Sequence, residues 1–472
     1  MSTIKSNIFW NMIRVISNLL FPLVTFPYAS RILGPESIGV FNYAFAIASY
    51  FTLFAAFGFP IYGMREIAFA RSNKNDLECT TQSLFTISII FAAIALSLYL
   101  IICYYCLTND FTLYAVIGSS ILLNSISFEW FYQGIEDFKY LTVRGILIKM
   151  LSVIALFIVV KNENDLLKYA ILNVCAICGN NILNLFRLKK YVKLKLSLKN
   201  FAKHLSGSAA LCLGSIAISL YTYMNDIIVG TLTDMQSVAF FSTSNKLVHI
   251  VLSIIGAVTL SIVPRISSLV NDGDSEAYIC LQKKTLDFIM HISVPMSIGL
   301  FVMAPEAINL FAGPKFIPAT TVLHILSFLI IIISISSFVG NQILVPNKKE
   351  KYGNFAVIGG AIVNLITALI FIPRYSYVGA AISVVIAECF VTIVHVFYGR
   401  KYINLKISDF IPWRIYMSSI IMGILLLILN HGNNSLIHII IWIALGAIAY
   451  IICLILTHDK LTIDLISQYK HK

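Results

Sequence analysis

The stretch LIHIIIWIALGAIAYIICLIL, residues 436–456, contains no lysine, arginine or acidic residue. At a rise of about 1.5 Å per residue, a helix of this length crosses a hydrocarbon core roughly 30 Å thick. Apolar stretches of similar length recur along the whole chain. The pattern therefore predicts a protein that crosses a membrane many times.

The composition indicates the same class of protein. Of the 472 residues, 58% are hydrophobic and only 12% are charged, and the mean hydropathy is +0.86. Soluble domains carry roughly 25% charged residues. We expect an all-α polytopic membrane protein. Its first apolar segment contains asparagine and arginine and shows no convincing cleavage site, so we expect this segment to be retained.

The apolar runs predict about fourteen transmembrane helices. Their approximate limits are 8–30, 38–60, 82–104, 112–133, 144–160, 166–186, 206–229, 239–264, 285–305, 321–345, 353–372, 378–398, 414–430 and 436–456.

The distribution of basic residues predicts the orientation. With both termini in the cytosol, the outside loops contain only Arg31, Lys161, Lys315 and Arg374, whereas most of the 34 Lys and Arg residues fall in cytosolic segments. This asymmetry follows the positive-inside rule. The net charge of +12 is therefore a topology signal and not a sign of nucleic-acid binding. Attraction to anionic membrane lipid is a second consequence.

The sequence contains no enzyme or metal signature. The pairs CYYC (Cys103 and Cys106) and CAIC (Cys175 and Cys178) have metal-like spacing, but both lie inside or at the edge of predicted spans. Neither pair has an accompanying histidine or second cysteine pair, so we interpret them as packing residues. A nucleotide-binding glycine loop, a zinc helix and an aqueous catalytic domain are all missing. We expect no cofactor and no catalytic residues.

A basic segment predicts the domain division. The stretch RLKKYVKLKLSLKNFAKH (187–204) follows the sixth span, and a weak repeat relates the ends of the first and seventh spans. Six spans separate the two copies, which predicts parallel repeats. We predict an N-terminal bundle over 1–190, a linker over 191–205, a second bundle over 206–400, and two extra helices with a cytosolic tail over 401–472.

Three predicted spans carry polar stripes at helical spacing. Each stripe lies on one face of its helix, and lipid cannot satisfy such a face. The stripes therefore face protein or water, either as hydrogen bonds between helices or as the lining of a hydrated cavity. Their members are Asn7, Asn11, Arg14 and Asn18 in the first span, Ser215, Ser219, Thr222 and Asp226 in the seventh, and Ser242, Asn245, Lys246, His249 and Ser253 in the eighth.

Asp226 and Lys246 are predicted at similar depths. Asp226 lies roughly 6 Å and Lys246 roughly 10 Å below the outer edge, at 1.5 Å per residue. Adjacent antiparallel helices would let them pair, either as a structural link or as a switch. Glu129 and Glu388 are secondary candidates, each with a local hydrogen bond as the alternative.

Proline and glycine predict irregular backbone in the first two spans. Pro22 and Pro27 are expected to bend or break the first span near its outer end. The glycines of this region are expected to act either as hinges or as close-packing contacts; they are Gly34, Gly39, Gly58 and Gly63.

Several longer stretches resemble one known family. The stretch FPYASRILGPESIGVFNYAFAIASYFTLFAAFGFPIYGMREIA (26–68) resembles the start of bacterial polysaccharide flippases, the O-antigen repeat-unit translocases. FEWFYQGIEDFKYLTVRGILIK (128–149) is similar to their fourth span and the loop after it. GNQILVPNKKEKYGNFAVIGGAIVNLITALIFIPRYSYVGAAISVVIAE (340–388) is similar to their tenth to twelfth spans.

The resemblance implies membership of the multidrug/oligosaccharidyl-lipid/polysaccharide exporter superfamily. In that fold two six-helix bundles form a V with pseudo-two-fold symmetry around a central cavity, followed by two C-terminal helices. The implied substrate is an undecaprenyl-pyrophosphate-linked oligosaccharide, moved to the outer leaflet of the bacterial inner membrane. Other membrane proteins of polysaccharide assembly are candidate partners.

Alternatives of other classes remain open. A multidrug antiporter of the superfamily would favour acidic cavity residues, and a lipid II flippase would share the fold and a cationic cavity. A polysaccharide polymerase would need long outside loops, whereas the longest one here, around 306–320, is short.

We assign roles to the stripe residues by their chemistry. Arg14 and Lys246 are candidates for contacting pyrophosphate, because cations in a poorly solvated cavity bind phosphate strongly. Asp226 is the candidate for coupling to H⁺ or Na⁺. The polar side chains that would hydrogen-bond the substrate are Asn11, Asn18, Asn245 and His249.

Overall fold

The structure is a computed structural model. It describes residues 4–106, 110–403, 405, 407–429, 436–459 and 462–463, although some side chains, mainly within 210–221 and 258–261, lie outside that description. Within these ranges the chain consists of helices and short connections, with no strand. The all-α prediction is confirmed.

The α-helices, in chain order, are α1 (Ile4–Ala56), α2 (Phe59–Ala70), α3 (Lys74–Cys106), α4 (Phe111–Ser125), α5 (Glu129–Gly134), α6 (Phe138–Val159), α7 (Leu166–Leu188), α8 (Phe201–Leu232), α9 (Met235–Asp272), α10 (Ser275–Val302), α11 (Ala304–Ala312), α12 (Ala319–Ser327), α13 (Leu329–Ser337), α14 (Glu350–Gly399), α15 (Ile407–Phe410), α16 (Trp413–Leu429) and α17 (Leu436–Leu456). A short 3₁₀ turn (Pro314–Phe316) precedes α12, and a π-helical segment (Phe338–Leu344) follows α13.

Two very long helices are interrupted near their middles. In α1, Gly34 has φ 75° and ψ 174°, a conformation that glycine adopts without a Cβ penalty. In α14, Ser376 has φ 50°. Both interruptions fall between predicted spans, at 30–38 and 372–378. Pro22 and Pro27 lie inside α1, which continues past both of them, so the break is at Gly34 and not at either proline.

The chain is a multi-pass membrane protein. Within the described residues, ten helical segments are long and apolar enough to cross a membrane. Some of them, such as 6–70 and Glu350–Gly399, are far longer than the roughly 20 residues that one crossing needs. The count of fourteen spans stays a prediction.

Two compact units divide the chain, residues 1–239 and 240–472. The first unit contains a buried aromatic cluster that includes Phe59, Phe128 and Phe131. The predicted linker 191–205 lies within this unit. The predicted division into two bundles and two extra helices stays a prediction.

The loop before α7 is held by one carboxylate. Asp165 Oδ2 accepts hydrogen bonds from the backbone N–H groups of Lys161 (2.9 Å) and Asn162 (3.0 Å), and Oδ1 lies 2.7 Å from Lys168 Nζ. The hydrogen bond from Lys168, together with those from the backbone, lowers the pKa of Asp165 to about 2. Lys168 is therefore part of a local loop contact.

Candidate functional site

The polar stripe of α1 contacts the α5–α6 region of the first unit. Near its start, Asn7 donates a hydrogen bond to Glu136 (3.4 Å). Three turns further along, Asn18 accepts a hydrogen bond from the ammonium group of Lys149 on α6. Between these two contacts, the hydroxyl of Thr142 on α6 donates a hydrogen bond to the backbone carbonyl oxygen of Trp10 on α1 (2.8 Å). The stripe therefore has polar protein partners along its length.

Glu129 lies at the centre of this contact. Its Oε2 is 3.8 Å from Arg14 Nη1, and its Oε1 is 3.1 Å from Arg144 Nη2. The Arg144 side chain is only 4% exposed, whereas those of Arg14 and Glu129 are 24% and 43% exposed. One accessible carboxylate thus bridges two guanidinium groups within apolar segments. We call Arg14, Glu129 and Arg144 the carboxylate bridge.

Further bonds orient the two arginines. Arg14 donates to Asn11 Oδ1 at 3.2 Å, one turn earlier on α1. Arg144 donates through Nη1 to the carbonyl of Asn180 on α7 at 3.0 Å. These hydrogen bonds to Asn11 and Asn180 hold the two arginine side chains in position beside Glu129.

The backbone breaks where Glu129 is presented. We predicted one continuous span over 112–133, but α4 ends at Ser125 and α5 begins at Glu129. Phe128 between them has φ 47°, a left-handed conformation uncommon for a bulky residue. Glu129 is therefore the first residue of a short helix and not a residue in the middle of a span.

Asparagines of α7 hold this break. Asn181 donates to the carbonyl of Leu123 (3.0 Å), and Asn184 donates to the carbonyl of Ser127. A broken helix leaves carbonyl groups without their usual intrahelical partners, and unpaired buried carbonyls are costly. Side-chain amides from a neighbouring helix satisfy these groups.

Sequence reasoning missed Arg144, Lys149 and the asparagines of α7. Arg144 is the first residue of a predicted span and Lys149 lies within the same span, but neither belongs to one of the three polar stripes. The sequence NNILN (180–184) does place Asn180, Asn181 and Asn184 on one face of a helix, a signal that could have been read.

The charge of the site favours an anion. Arg14, Arg144 and Lys149 carry three positive charges around the single carboxylate of Glu129. Guanidinium groups match phosphate oxygens in two-point contacts. The side chains are thus chemically suited to hold a phosphate group.

The remaining candidates lie on other helices. On α8, Asp226 is half-buried, one turn after Tyr223, whose ring is 6.3 Å from that of Tyr50 on α1. The side chains of Ser215 and Ser219 lie outside the described residues. In the second unit, Asn245 and Lys246 on α9 are half-buried and His249 is exposed, and Glu388 is half-buried on α14. The Asp226–Lys246 pair would join the two units and stays a prediction.

Among the described residues, no group of three or more His, Cys, Asp or Glu side chains could hold a metal ion.

A family model described as polysaccharide biosynthesis protein matches residues 4–270, more than half of the chain and the whole carboxylate bridge. The chain belongs to this family. The membership predicted from the sequence resemblance is confirmed.

One relative and two solved structures extend the comparison. A protein of Escherichia coli (strain K12) named "Putative O-antigen transporter" is 28% identical over 412 residues, which cover 84% of this chain and 97% of the relative. The lipid II flippase MurJ, in an inward closed conformation, matches with a TM-score of 0.76 and 17% identity, over 96% of this chain and 100% of that one.

The second solved structure is an inward-facing multidrug resistance MATE family transporter of the MOP superfamily. It matches with a TM-score of 0.65 and 14% identity, over 83% of this chain and 94% of that one. At these identities the two structures establish a shared fold and carry no information about the substrate.

Proposed function

We propose that this protein is a flippase that moves undecaprenyl-pyrophosphate-linked oligosaccharide repeat units from the inner to the outer leaflet of the bacterial inner membrane. Family membership and the similarity to a protein named as an O-antigen transporter support the substrate class. The observation that carries the proposal is the carboxylate bridge, a cationic site within apolar segments of such a chain.

The bridge suggests how a phosphate is bound. With both termini in the cytosol, Arg14 lies six residues into its predicted span, at a depth of about 9 Å. A pyrophosphate group entering from the cytosolic leaflet meets Arg14 at this level. Glu129 pairs with both arginines before the substrate binds and offsets one of their two positive charges, and the phosphate oxygens then compete with Glu129 for the guanidinium groups. The exchange keeps the guanidinium groups paired throughout, because an unpaired buried charge is costly.

The other candidates take complementary parts. In alternating access, Lys246 is the second contact for pyrophosphate, and the polar groups that hydrogen-bond sugar are Asn11, Asn18, Asn245 and His249. Asp226 couples the cycle to H⁺ or Na⁺ by changing its charge. The polyprenyl tail stays in lipid.

Two related functions remain as rivals. A lipid II flippase would also need cations for pyrophosphate, and a multidrug antiporter would need acidic groups for organic cations. The net positive charge around Glu129 argues against the second rival. The first is separated by experiment, because its loss would stop cell-wall precursor transport.

The test is complementation of a strain that lacks its own polysaccharide flippase. We expect Arg14→Ala to reduce surface polysaccharide at least about tenfold at equal expression, since a lost charge-assisted phosphate contact costs roughly 1.5–3 kcal/mol. Lys246→Ala should have a similar effect. Lipid-linked oligosaccharide should accumulate on the cytosolic leaflet in both strains.

The matched control is Lys168→Ala, which removes a basic side chain that pairs with Asp165 in the loop before α7. It should retain nearly full activity. Equal activity in all three variants would contradict the proposal that Arg14 and Lys246 bind the pyrophosphate. Accumulation of cell-wall precursor in place of oligosaccharide would support the lipid II alternative.

A further inference from the structure

A groove of about 820 Å³ runs between α6 and α7 on the surface of the first unit. Its basic side chains lie at the end of the two helices that the positive-inside rule assigns to the cytosol. They are Lys139, Arg144, Arg187 and Lys190, and a single carboxylate, Asp137, accompanies them in the lining. The groove therefore has a positively charged end.

Two of these basic groups have internal partners. Arg187 lies 2.7 Å from Asp137 and over the ring of Tyr140, 3.8 Å from its centroid. Arg144 pairs with Glu129, but its buried Nε has no hydrogen-bond partner. Both side chains are fixed before any ligand arrives.

The two lysines differ from the arginines. Lys139 and Lys190 are exposed, and neither makes an ion pair within the part of the chain that the structure describes. Lys139 lies 5.8 Å from the ring centroid of Trp10, a weak contact that leaves its charge available. Two lysines therefore present unpaired charge at the mouth of the groove.

The rest of the groove is apolar and accessible. Leu147 and Leu151 on α6 are 55% and 62% exposed, and Leu183 and Phe186 on α7 are 42% and 62% exposed. In a membrane helix, exposed apolar side chains of this kind contact lipid chains. The lining thus combines a charged end with a lipid-facing wall.

The length of the groove matches one leaflet. From Lys139 to Leu151 the helix rises about 18 Å, and half of the hydrocarbon core is about 15 Å thick. A soluble phosphate ion would contact only the basic end of the groove and would leave its apolar wall uncovered. A polyprenyl chain is much longer than one leaflet is thick, whereas the acyl chains of a phospholipid match it.

We propose that this groove is a binding site for an anionic phospholipid of the cytosolic leaflet. Basic pockets between transmembrane helices on the cytosolic side bind such headgroups. Lys139 and Lys190 contact the phosphate, the two fixed arginines supply further positive potential, and the leucines pack against an acyl chain. The groove shares Arg144 with the carboxylate bridge, but Lys139 and Lys190 lie outside the bridge and the proposed ligand is not the transported substrate.

The test measures lipid binding by the purified full chain. Phosphatidylglycerol is titrated against the protein in phosphatidylcholine nanodiscs, and bound lipid is counted by native mass spectrometry. We expect preferential retention of phosphatidylglycerol by the unaltered protein. The double variant Lys139→Gln/Lys190→Gln should weaken this retention about thirtyfold, the factor that corresponds to the loss of two basic residues near an anionic membrane surface.

The matched control is Lys193→Gln/Lys195→Gln, which removes the same charge from exposed positions outside the groove. It should bind as the unaltered protein does. Equal losses in both double variants would overturn the proposal in favour of general basic attraction. Leu147→Trp, which fills the apolar wall, should also displace the lipid.

Two further outcomes would reject a phospholipid site. Competition by inorganic phosphate at equal concentration would indicate a headgroup site without a chain. Retention of a polyprenyl diphosphate in place of phosphatidylglycerol would assign the groove to the transported substrate. Neither readout requires transport, so failure here leaves the proposed function standing.

Discussion

At the scale of single residues, Glu129 connects the sequence to the candidate site. It was predicted only as a secondary candidate, with a local hydrogen bond as the alternative. The structure instead gives it contacts to Arg14 and Arg144, 115 and 15 positions away in the sequence. Helical periodicity identified the stripe of Arg14, because that pattern is local. It could not identify the partner, because pairing between distant segments leaves no local pattern.

We predict that Glu129→Gln lowers the melting temperature of the purified protein. The substitution removes the carboxylate between two guanidinium groups, one of which is almost fully buried. Breaking a buried ion pair costs about 3–5 kcal/mol, and the partial exposure of Glu129 places the expected loss below that range. Adding inorganic pyrophosphate should recover more stability in the variant than in the unaltered protein. Thermal unfolding, monitored by intrinsic fluorescence with and without pyrophosphate, measures both the decrease in melting temperature and its recovery.

The control is Glu136→Gln, at the start of the following connection. Glu136 pairs with Arg71 at 2.6 Å, but both side chains are 45% exposed, so the pair contributes little to stability. An equal decrease in melting temperature for the two variants would contradict the prediction that Glu129 stabilises the protein more than an exposed carboxylate such as Glu136 does.

At the scale of helices, the four glycines of residues 34–63 have two different roles. Gly34 and Gly58 have φ of 75° and stand at helix interruptions. Gly39 and Gly63 lie where another element approaches closely. The sequence predicted both roles for the group and could not divide them, because the division depends on which distant atom lies beside each Cα.

We predict that Gly39→Ala destabilises the first unit strongly. A Cβ at this position would lie 1.7 Å from the backbone oxygen of Met235, at the start of α9. A backbone atom cannot rotate away as a side chain does, so the second part of α1 must shift. Overpacking of this kind costs about 1–3 kcal/mol or more. The melting temperature and the yield of folded protein should both fall.

Gly145→Ala on α6 is the matched control. A Cβ there meets no atom within 4 Å, and alanine favours a helix over glycine by about 1 kcal/mol. The control should therefore be neutral or slightly stabilised. A Gly39→Ala variant as stable as Gly145→Ala would contradict the close approach of α1 to α9.

At the scale of the whole molecule, hydropathy and charge were the most informative signals. They predicted an all-helical, multi-pass chain because lipid imposes apolar runs about 20 residues long. They also placed interruptions near Gly34 and Ser376, where two runs meet. They missed the break at 126–128, because its few polar residues stand within a longer apolar run and the hydrogen bonds that hold the break come from the asparagines of α7.

The orientation of the chain is the remaining prediction at this scale. In a cysteine-free background, Asn164→Cys lies in a predicted outside loop and Lys195→Cys lies in the predicted cytosolic linker, and both positions are exposed. The excess of basic residues in the linker opposes its transfer across the membrane. A membrane-impermeant maleimide added to intact spheroplasts should therefore label position 164 and not position 195, whereas permeabilised spheroplasts should show labelling at both. Labelling of 195 alone in intact spheroplasts would invert the topology, and would place the groove between α6 and α7 with its basic end in the outer leaflet.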